Sequence, residues 1–477
     1  MILILTFLAN AGLSLLLGLA VAHVLGPDAF GRYGVAMALA VVVNAVGFEW
    51  LRLSATRHYS ERSRHEDPGL RASLDAGYAF VSLSVLVLAL VAYVSGADLG
   101  LAAPLLLATA AAGLGMGIFD YQAALARARF LEATYARLVL LKNAAAFLLM
   151  VGGAYVFASP AVVMAGAASS TLLAALAVRR RLRDVDATPG RADLRRLASF
   201  SAYAGPLVGA SVAYQLMPLV NRGVLAWQEG YGEAGQFALA ADLGLRLFMT
   251  VGSALDVLLF QLAVRTEEQH GRAEAERQVA RNMALLIALM LPLAAGLWLT
   301  LPALNALVVP GAYRLAFESY MTALIPGFVA FAIIQYALHP LFQLRRTTAP
   351  ALMAAAAALA VDAALALLLP RLLGGIGVAF AQSAGLVAGA GILAALALRA
   401  GLALPWRAIG LGAAATGMMS VVVLPVRDLD PPALALTAAV TLGALAYGAA
   451  AWLTDLACLR SLLKARLGHA RIAAPAR

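Results

Sequence analysis

The chain has 477 residues, of which 63% are hydrophobic and 13% charged, with a mean hydropathy of +0.86. Because a soluble domain carries about 25% charged residues, this composition excludes a soluble globular protein and indicates a membrane protein. The formal net charge is +10. Since basic residues concentrate in the cytoplasmic loops of membrane proteins, we attribute this excess to topology and expect no nucleic-acid partner.

Two classes of chemistry are excluded by the residues that are missing. A single cysteine, Cys458, rules out an internal disulfide and a Cys-based metal site. The glycines at 113, 115 and 117 follow no strand and precede no phosphate-loop lysine, so we interpret them as helix-packing residues and expect no ATP hydrolysis through a Walker motif. We predict no cofactor and no metal site, and leave coupling to H+ or Na+ open.

Apolar stretches of about 20 residues, the length that crosses ~30 Å of hydrocarbon, recur along the chain. They predict an all-α integral membrane protein with about fourteen transmembrane helices in two pseudo-symmetric bundles around a central cavity. The predicted spans are 2–25, 33–56, 76–95, 101–125, 134–157, 160–178, 200–226, 234–263, 283–308, 316–343, 348–369, 376–398, 408–425 and 432–457.

Four segments follow from these spans. Residues 1–178 form an N-terminal bundle of about six spans, and residues 179–199, with seven arginines, form a basic cytoplasmic linker. Residues 200–398 form a C-terminal bundle of about six spans, and residues 399–477 add two spans and a cytoplasmic tail. Loops on the side of the termini carry 26 Lys and Arg against 4 on the other side, which predicts cytoplasmic N- and C-termini.

A short repeat relates the two bundles. Gly31, Arg32 and Tyr33 open the second span, after a turn expected over residues 26–33, and residues 235–237 (GQF) open the eighth. Two related halves around a central cavity are a common plan of transporters.

Three stretches resemble a known family. Residues 25–33 (LGPDAFGRY) are similar to the first-loop signature of the polysaccharide and oligosaccharide (O-antigen-type) flippases. Residues 124–130 (ALARARF) resemble the basic turn after the family's fourth span, and residues 374–381 (GGIGVAFA) resemble the glycine-rich start of its twelfth. These flippases belong to the multidrug/oligosaccharidyl-lipid/polysaccharide exporter superfamily, with the multidrug and toxin exporters and the lipid II flippases.

The resemblance implies a function and a place for it. We expect a flippase that moves a polyprenyl-diphosphate-linked oligosaccharide from the cytoplasmic to the outer leaflet, for O-antigen or exopolysaccharide biosynthesis in the bacterial inner membrane. Its partners would be this anionic lipid-linked oligosaccharide, membrane lipids and other membrane proteins of polysaccharide assembly. In the family the first, second, seventh and eighth spans line the cavity.

Polar side chains recur on one face of each of those four spans. A charge at bilayer depth costs about 2.5–3.5 kcal/mol on insertion scales, so it usually faces a protein interior or a wet cavity. The candidate substrate-cavity residues are Asn10, Glu49, Arg52, Gln215, Arg222, Asp242, Arg246 and Asp256.

Structural roles remain open for several of these residues. If their role is structural, Asp242 and Arg246, which are four residues apart, form a neutralising pair. If Arg222 has no role in the cavity, its side chain extends to the outer interface between membrane and water. Other embedded charges are candidates for structural roles: Asp120 for a pair with Arg137, and Asp362 for a proton site, a cation site or a protonated packing residue.

Two further functions compete with the flippase. A cation-coupled exporter of small molecules, from the same superfamily, would depend on Glu49, Asp242 and Asp256 more than on the arginines. A membrane enzyme of glycan assembly would need catalytic residues on an outer loop or at an interface. The predicted outer loops have only about 2 to 7 residues, so we expect no enzyme.

Overall fold

A computed structural model describes residues 2–96, 100–183, 190–345, 347–402 and 404–456. It does not describe the side chains of residues 2–11, 61, 64, 68, 194, 202, 203, 257, 258 and 260. Within the described ranges the protein consists of helices and turns without a strand, which confirms the predicted all-α class. Cys458 and the predicted cytoplasmic tail lie outside the described residues.

The helices are numbered here in chain order. They are α1 (Ile2–His58), α2 (Glu61–Glu66), α3 (Pro68–Val94), α4 (Ala103–Ala128), α5 (Glu132–Phe157), α6 (Pro160–Val178), α7 (Leu194–Gln228), α8 (Tyr231–His270), α9 (Arg272–Leu307), α10 (Gly311–Leu344), α11 (Ala349–Leu368), α12 (Ile376–Arg399), α13 (Trp406–Val423) and α14 (Pro432–Leu453). Single π-helical turns interrupt α5 at Phe147–Val151 and α10 at Ile334–Leu338.

Helix α1 contains the first two predicted spans. The turn expected over residues 26–33 is wrong in extent, because only Gly26 leaves the helical conformation, with φ 72° and ψ 171°. A left-handed φ favours glycine, and Pro27 then begins the next helical turn without a backbone donor to lose. The chain therefore breaks at one residue and continues as a helix to His58.

Twelve helices in the described part of the chain are long and apolar enough to cross a membrane, so the chain is a multi-pass membrane protein. The number of candidate membrane-spanning helices is lower than the fourteen spans predicted from the sequence for two reasons. Two predicted spans merge in α1, and α7, which covers the seventh predicted span, is not among the twelve. Polar residues and two prolines inside α7, Pro206 and Pro218, lower its apolar character.

The contacts divide the chain into two compact units. Unit 1 comprises Met1–Leu243 and Ala355–Gln382, and unit 2 comprises Gly244–Ala354 and Ser383–Arg477. The predicted division into two bundles of about six spans, a linker and two extra spans rests on the repeat and the charge pattern. That division stays a prediction.

In unit 1, α4 packs closely against its neighbours through glycines. A Cβ at Gly113 would meet Val43 of α1, and one at Gly117 would meet the ring of Phe48. A Cβ at Gly115 would meet Thr171 of α6. The close approach of these helices requires residues without a side chain, which confirms the packing role predicted for the three glycines.

The segment before α7 is fixed to α3 in the same unit. Arg196 forms an ion pair with Asp67 at 2.7 Å, and the backbone N–H of Asp193 donates to the Ser73 hydroxyl at 2.9 Å. The described end of the predicted linker is therefore attached to the start of α3.

In unit 2, glycines of α8 again receive large side chains. Gly244 lies against Phe328, and Gly252 lies against Tyr336, which belongs to the π-helical turn of α10. Helix α9 packs against α13 and α14, and its first turns are linked to α10 by the Glu276–Arg345 ion pair at 2.8 Å. The unit thus has its own core.

Candidate functional site

The first polar cluster lies in unit 1 between α1 and α7. Arg52 donates from Nη2 to Glu49 at 2.9 Å, as expected for residues three apart on one helix face. The Ser211 hydroxyl of α7 donates to the other Glu49 oxygen at 2.7 Å. Glu49 thereby links Arg52 to Ser211 of α7, and the Arg52 side chain is 30% exposed.

Arg52 retains hydrogen-bonding capacity. A guanidinium has five N–H donors, and among the described residues only Nη2 of Arg52 is engaged by a side chain. The planar group can therefore bind a phosphate or carboxylate through two parallel bonds while Glu49 keeps it oriented.

The second cluster is centred on Arg222 of α7, which is 5% exposed. Its Nη1 donates to the Gly34 carbonyl of α1 at 2.9 Å, and its Nη2 donates to Asp242 of α8 at 2.5 Å. The interpretation of Arg222 as a residue that extends to the outer interface is wrong, because two acceptors hold it inside unit 1. The alternative pairing of Asp242 with Arg246 is likewise not observed, because Asp242 binds Arg222.

Close to this cluster, α1 and α8 cross with almost no separation. A Cβ on Gly31 would lie 1.8 Å from the Tyr231 carbonyl oxygen, and a Cβ on Gly235 would lie 2.0 Å from that of Pro27. Gly31 and Gly235 are the positions related by the sequence repeat. Arg32 stacks over the Tyr231 ring at 4.3 Å, so the crossing also carries a cation–π contact.

A third, fully buried cluster involves Asp362 of α11, which is 0% exposed. The Asn221 amide of α7 donates to Asp362 at 3.1 Å and to Gln382 of α12 at 3.0 Å. Among the described residues, the second Asp362 oxygen and the Asn221 carbonyl oxygen have no hydrogen-bond partner. Asp362 has no charged neighbour along its own predicted span; it is joined to α7 by Asn221, which in turn connects it to Gln382 of α12.

The remaining candidates lie apart from these clusters. Gln215 is exposed on α7, whereas Arg246, exposed, and Asp256, partly buried, belong to unit 2. Asn10 lies in the part of α1 whose side chains are outside the description. The structure thus groups Glu49 with Arg52 and Arg222 with Asp242, and the substrate-cavity role of every candidate residue stays a prediction.

Sequence reasoning missed several members of these clusters. Asn221 and Gln382 were not singled out, although each interrupts an apolar helix, which is a usable signal. The suggested pair of Asp120 with Arg137 is wrong: Asp120 accepts a hydrogen bond from Asn44 of α1 at 3.0 Å, and Arg137 is exposed. In the described ranges, no group of three His, Cys, Asp or Glu residues is placed to hold a metal ion.

The fold is similar to that of known transporters. It resembles the lipid II flippase MurJ in an inward closed conformation, with a TM-score of 0.77 and 14% identity over 97% of this chain and 100% of that one. It also resembles an inward-facing multidrug resistance MATE family transporter of the MOP superfamily, with a TM-score of 0.62 and 13% identity over 84% of this chain and 98% of that one. A MOP superfamily transporter from Pyrococcus furiosus has a TM-score of 0.54 and 13% identity over 84% and 94% of the two chains.

At 13–14% identity these likenesses show the fold alone, which is the one shared by the MurJ flippase and the MATE transporter. The chain matches no model of a known protein family and no curated protein sequence. The narrower resemblance to the oligosaccharide flippases stays a prediction.

Proposed function

We propose that the protein is a flippase that moves a polyprenyl-diphosphate-linked oligosaccharide from the cytoplasmic to the outer leaflet of the bacterial inner membrane. Both termini are cytoplasmic in this proposal, and the product supplies surface polysaccharide such as O-antigen or exopolysaccharide. Transport proceeds by alternating access, in which a binding site opens to one leaflet at a time. Other membrane proteins of polysaccharide assembly supply the substrate and consume the product.

The observation that carries the proposal is the state of Arg52. Its guanidinium is held by Glu49, is 30% exposed and keeps donors for a second anion. A diphosphate presents several oxygens at the spacing that a guanidinium binds in pairs. Glu49 already orients the Arg52 side chain. Binding of the headgroup therefore costs less side-chain entropy than binding to an unrestrained arginine would.

The pairing of the carboxylates favours an anionic cargo over a cationic one. Glu49 is engaged by Arg52 and Asp242 by Arg222, so two of the three carboxylates that an exporter of cations would use are neutralised. Asp256, in unit 2, forms no ion pair with a described residue and is the acid on which the exporter alternative now depends. Cation export that requires Asp256 and does not respond to Arg52 variants would favour that alternative.

Substitutions of Arg52 test the headgroup role. Lysine keeps the charge but loses the bidentate fork, so Arg52→Lys should lower glycan export clearly, and Arg52→Ala should lower it further. The measurements are surface glycan and carrier-linked oligosaccharide left in the membrane, in a strain whose native copy is deleted. The deletion strain should itself accumulate the carrier-linked oligosaccharide.

Arg137→Ala is the matched control, since Arg137 is an exposed arginine of α5 outside the described clusters. It should leave export near normal. Normal export from Arg52→Ala, at wild-type protein abundance, would contradict the headgroup role.

We further propose that Asp362 couples transport to H+ or Na+. An ionised carboxylate that is 0% exposed and has one amide donor is costly, and a bound proton or cation removes that cost. The free oxygens of Asp362 and Asn221 supply acceptor atoms for either ion. Binding of a proton or sodium ion to the Asp362 cluster would then favour one state of the alternating-access cycle.

Asp362→Asn tests this coupling, because an amide keeps the bond to Asn221 and removes the charge. In reconstituted vesicles, transport by the wild type should respond to a proton or sodium gradient, and transport by Asp362→Asn should not. Asp428→Asn, at a carboxylate that is 81% exposed, should behave like the wild type. A preserved gradient response in Asp362→Asn would exclude this site.

A further inference from the structure

Unit 2 contains a cavity of about 920 Å³, which none of the candidate substrate residues lines. It lies among four helices: the later part of α8, the start of α9, the start of α13 and the end of α14. Its size falls within the roughly 300–1,000 Å³ of typical small-molecule sites. The side chains that decide its chemistry are Gln278, Arg281, Asn282, Trp406, Arg407 and Asp455.

The cavity carries more positive than negative charge. Among the described residues that line it, Arg281 and Arg407 are the cationic side chains and Asp455 is the carboxylate. Arg281 is 66% exposed and has two long contacts, with Glu274 and with the Gln278 side-chain oxygen, each at 3.4 Å. Glu274 binds Arg277 more closely, at 2.7 Å. Arg407 is exposed and forms no ion pair or hydrogen bond with a described residue. Two guanidinium groups are therefore available to an anion.

The floor of the cavity is organised by a buried amide. Asn282 is 7% exposed; it donates to the Leu259 carbonyl of α8 at 2.7 Å and accepts from Gln278 at 2.9 Å. The bond to Leu259 ties α9 to α8, and the bond from Gln278 orients the Asn282 amide within α9. The cavity is thus built by fixed contacts between helices.

Apolar side chains make up much of the remaining lining, including Leu262, Leu285 and Leu411. Trp406 begins α13 and is 63% exposed. Tryptophan is enriched where a membrane meets water, and arginines at helix ends attract anionic lipid headgroups. The cavity therefore offers both cationic side chains and leucine surface to one ligand.

We propose that this cavity binds an anionic membrane phospholipid, with its phosphate between Arg281 and Arg407 and its acyl chain along the leucines. Free phosphate would leave the leucine surface without a partner. A zwitterionic lipid brings a cationic group that the two arginines repel. The occupant that satisfies both parts of the lining is a lipid with net negative charge.

The full-length protein in neutral detergent allows a direct test. Native mass spectrometry measures binding of phosphatidylglycerol and of phosphatidylethanolamine, and thermal scans measure the stabilisation that each lipid gives. We expect the wild type to bind phosphatidylglycerol about tenfold more tightly, since charge-assisted hydrogen bonds to two arginines distinguish the lipids. The Arg281→Gln, Arg407→Gln double variant should lose this preference, and the double lysine variant should retain part of it.

Two controls keep the outcome decisive. Arg399→Gln, at an exposed arginine at the end of α12 outside the cavity, should keep the preference. Since Arg407 bonds to no described residue, Arg407→Gln alone should fold normally and still weaken phosphatidylglycerol binding.

Three results would overturn the proposal. The first is equal affinity of the wild type for the two lipids, and the second is an unchanged preference in the double variant. The third is stabilisation by glycerol 3-phosphate as large as that by phosphatidylglycerol, which would assign the site to a soluble phosphate. The double variant should bind polyprenyl diphosphate as tightly as the wild type does. If the double variant loses binding of polyprenyl diphosphate and keeps its preference for phosphatidylglycerol, the cavity would be assigned to the transported carrier.

Discussion

The crossing of α1 and α8 gives the sharpest prediction about packing. In Gly31→Ala, the new Cβ would lie 1.8 Å from the Tyr231 carbonyl oxygen and 2.9 Å from the backbone nitrogen of Gly235. Ordinary contacts of a Cβ begin near 3.4 Å, so the two backbones would have to separate by about 1.6 Å. The atoms in the way belong to the backbone, which cannot rotate aside as a flexible side chain would.

The expected magnitude combines two opposed effects. Overpacking of a well-packed site costs about 1–3 kcal/mol. Alanine is better than glycine inside a helix by roughly 0.5–1 kcal/mol, which offsets part of that cost. We therefore expect Gly31→Ala to lose about 1–2 kcal/mol of stability. Gly235→Ala should lose a similar amount, because its Cβ would lie 2.0 Å from the Pro27 carbonyl oxygen.

The assay is the apparent melting temperature of the purified protein at a fixed scan rate, with Gly232→Ala as the control. Gly232 lies on α8, the helix of Gly235, and has no atom within 4 Å of an added Cβ, so its replacement should be neutral or stabilising. The double variant should be less destabilised than the sum of the single ones, since one separation accommodates both methyl groups. A Gly31→Ala protein as stable as Gly232→Ala would refute this description of the crossing.

The other predictions concern the Arg222 cluster and topology. Asp242→Ala should cost about 3 kcal/mol because it leaves Arg222, 5% exposed, without its counter-charge, whereas Arg222→Met should cost less because Asp242 is 36% exposed and can be hydrated. Melting temperatures of both variants decide this, and a more damaging Arg222→Met would contradict it. In a Cys458→Ser background, cysteines placed in loops 57–75 and 179–199 should be protected from an impermeant thiol reagent in intact cells, and one at Gln228 should react. Reaction of the 179–199 loop would reverse the orientation.

The sequence alone determined the class of the protein. A chain with 63% hydrophobic residues and spans of about 20 residues can satisfy its backbone polar groups within a bilayer only as helices or a closed barrel, and the length of the spans selects helices. Local chemistry was also readable. Glu49 and Arg52 are three residues apart on one helix, so their ion pair follows from helix geometry. The glycine at 374, with φ 63°, precedes α12 as the glycine-rich motif suggested.

Contacts between helices were decided only by the tertiary structure. Asp242 had an eligible partner four residues away in Arg246, yet it binds Arg222 of α7, which also donates to the Gly34 carbonyl of α1. Asp362 has no charged neighbour along its own span, but Asn221 and Gln382, from two other helices, meet in a cluster with it. Helical periodicity fixes which face a residue occupies, whereas the rotation and depth of each helix depend on how all of them pack. No single span of sequence contains that information.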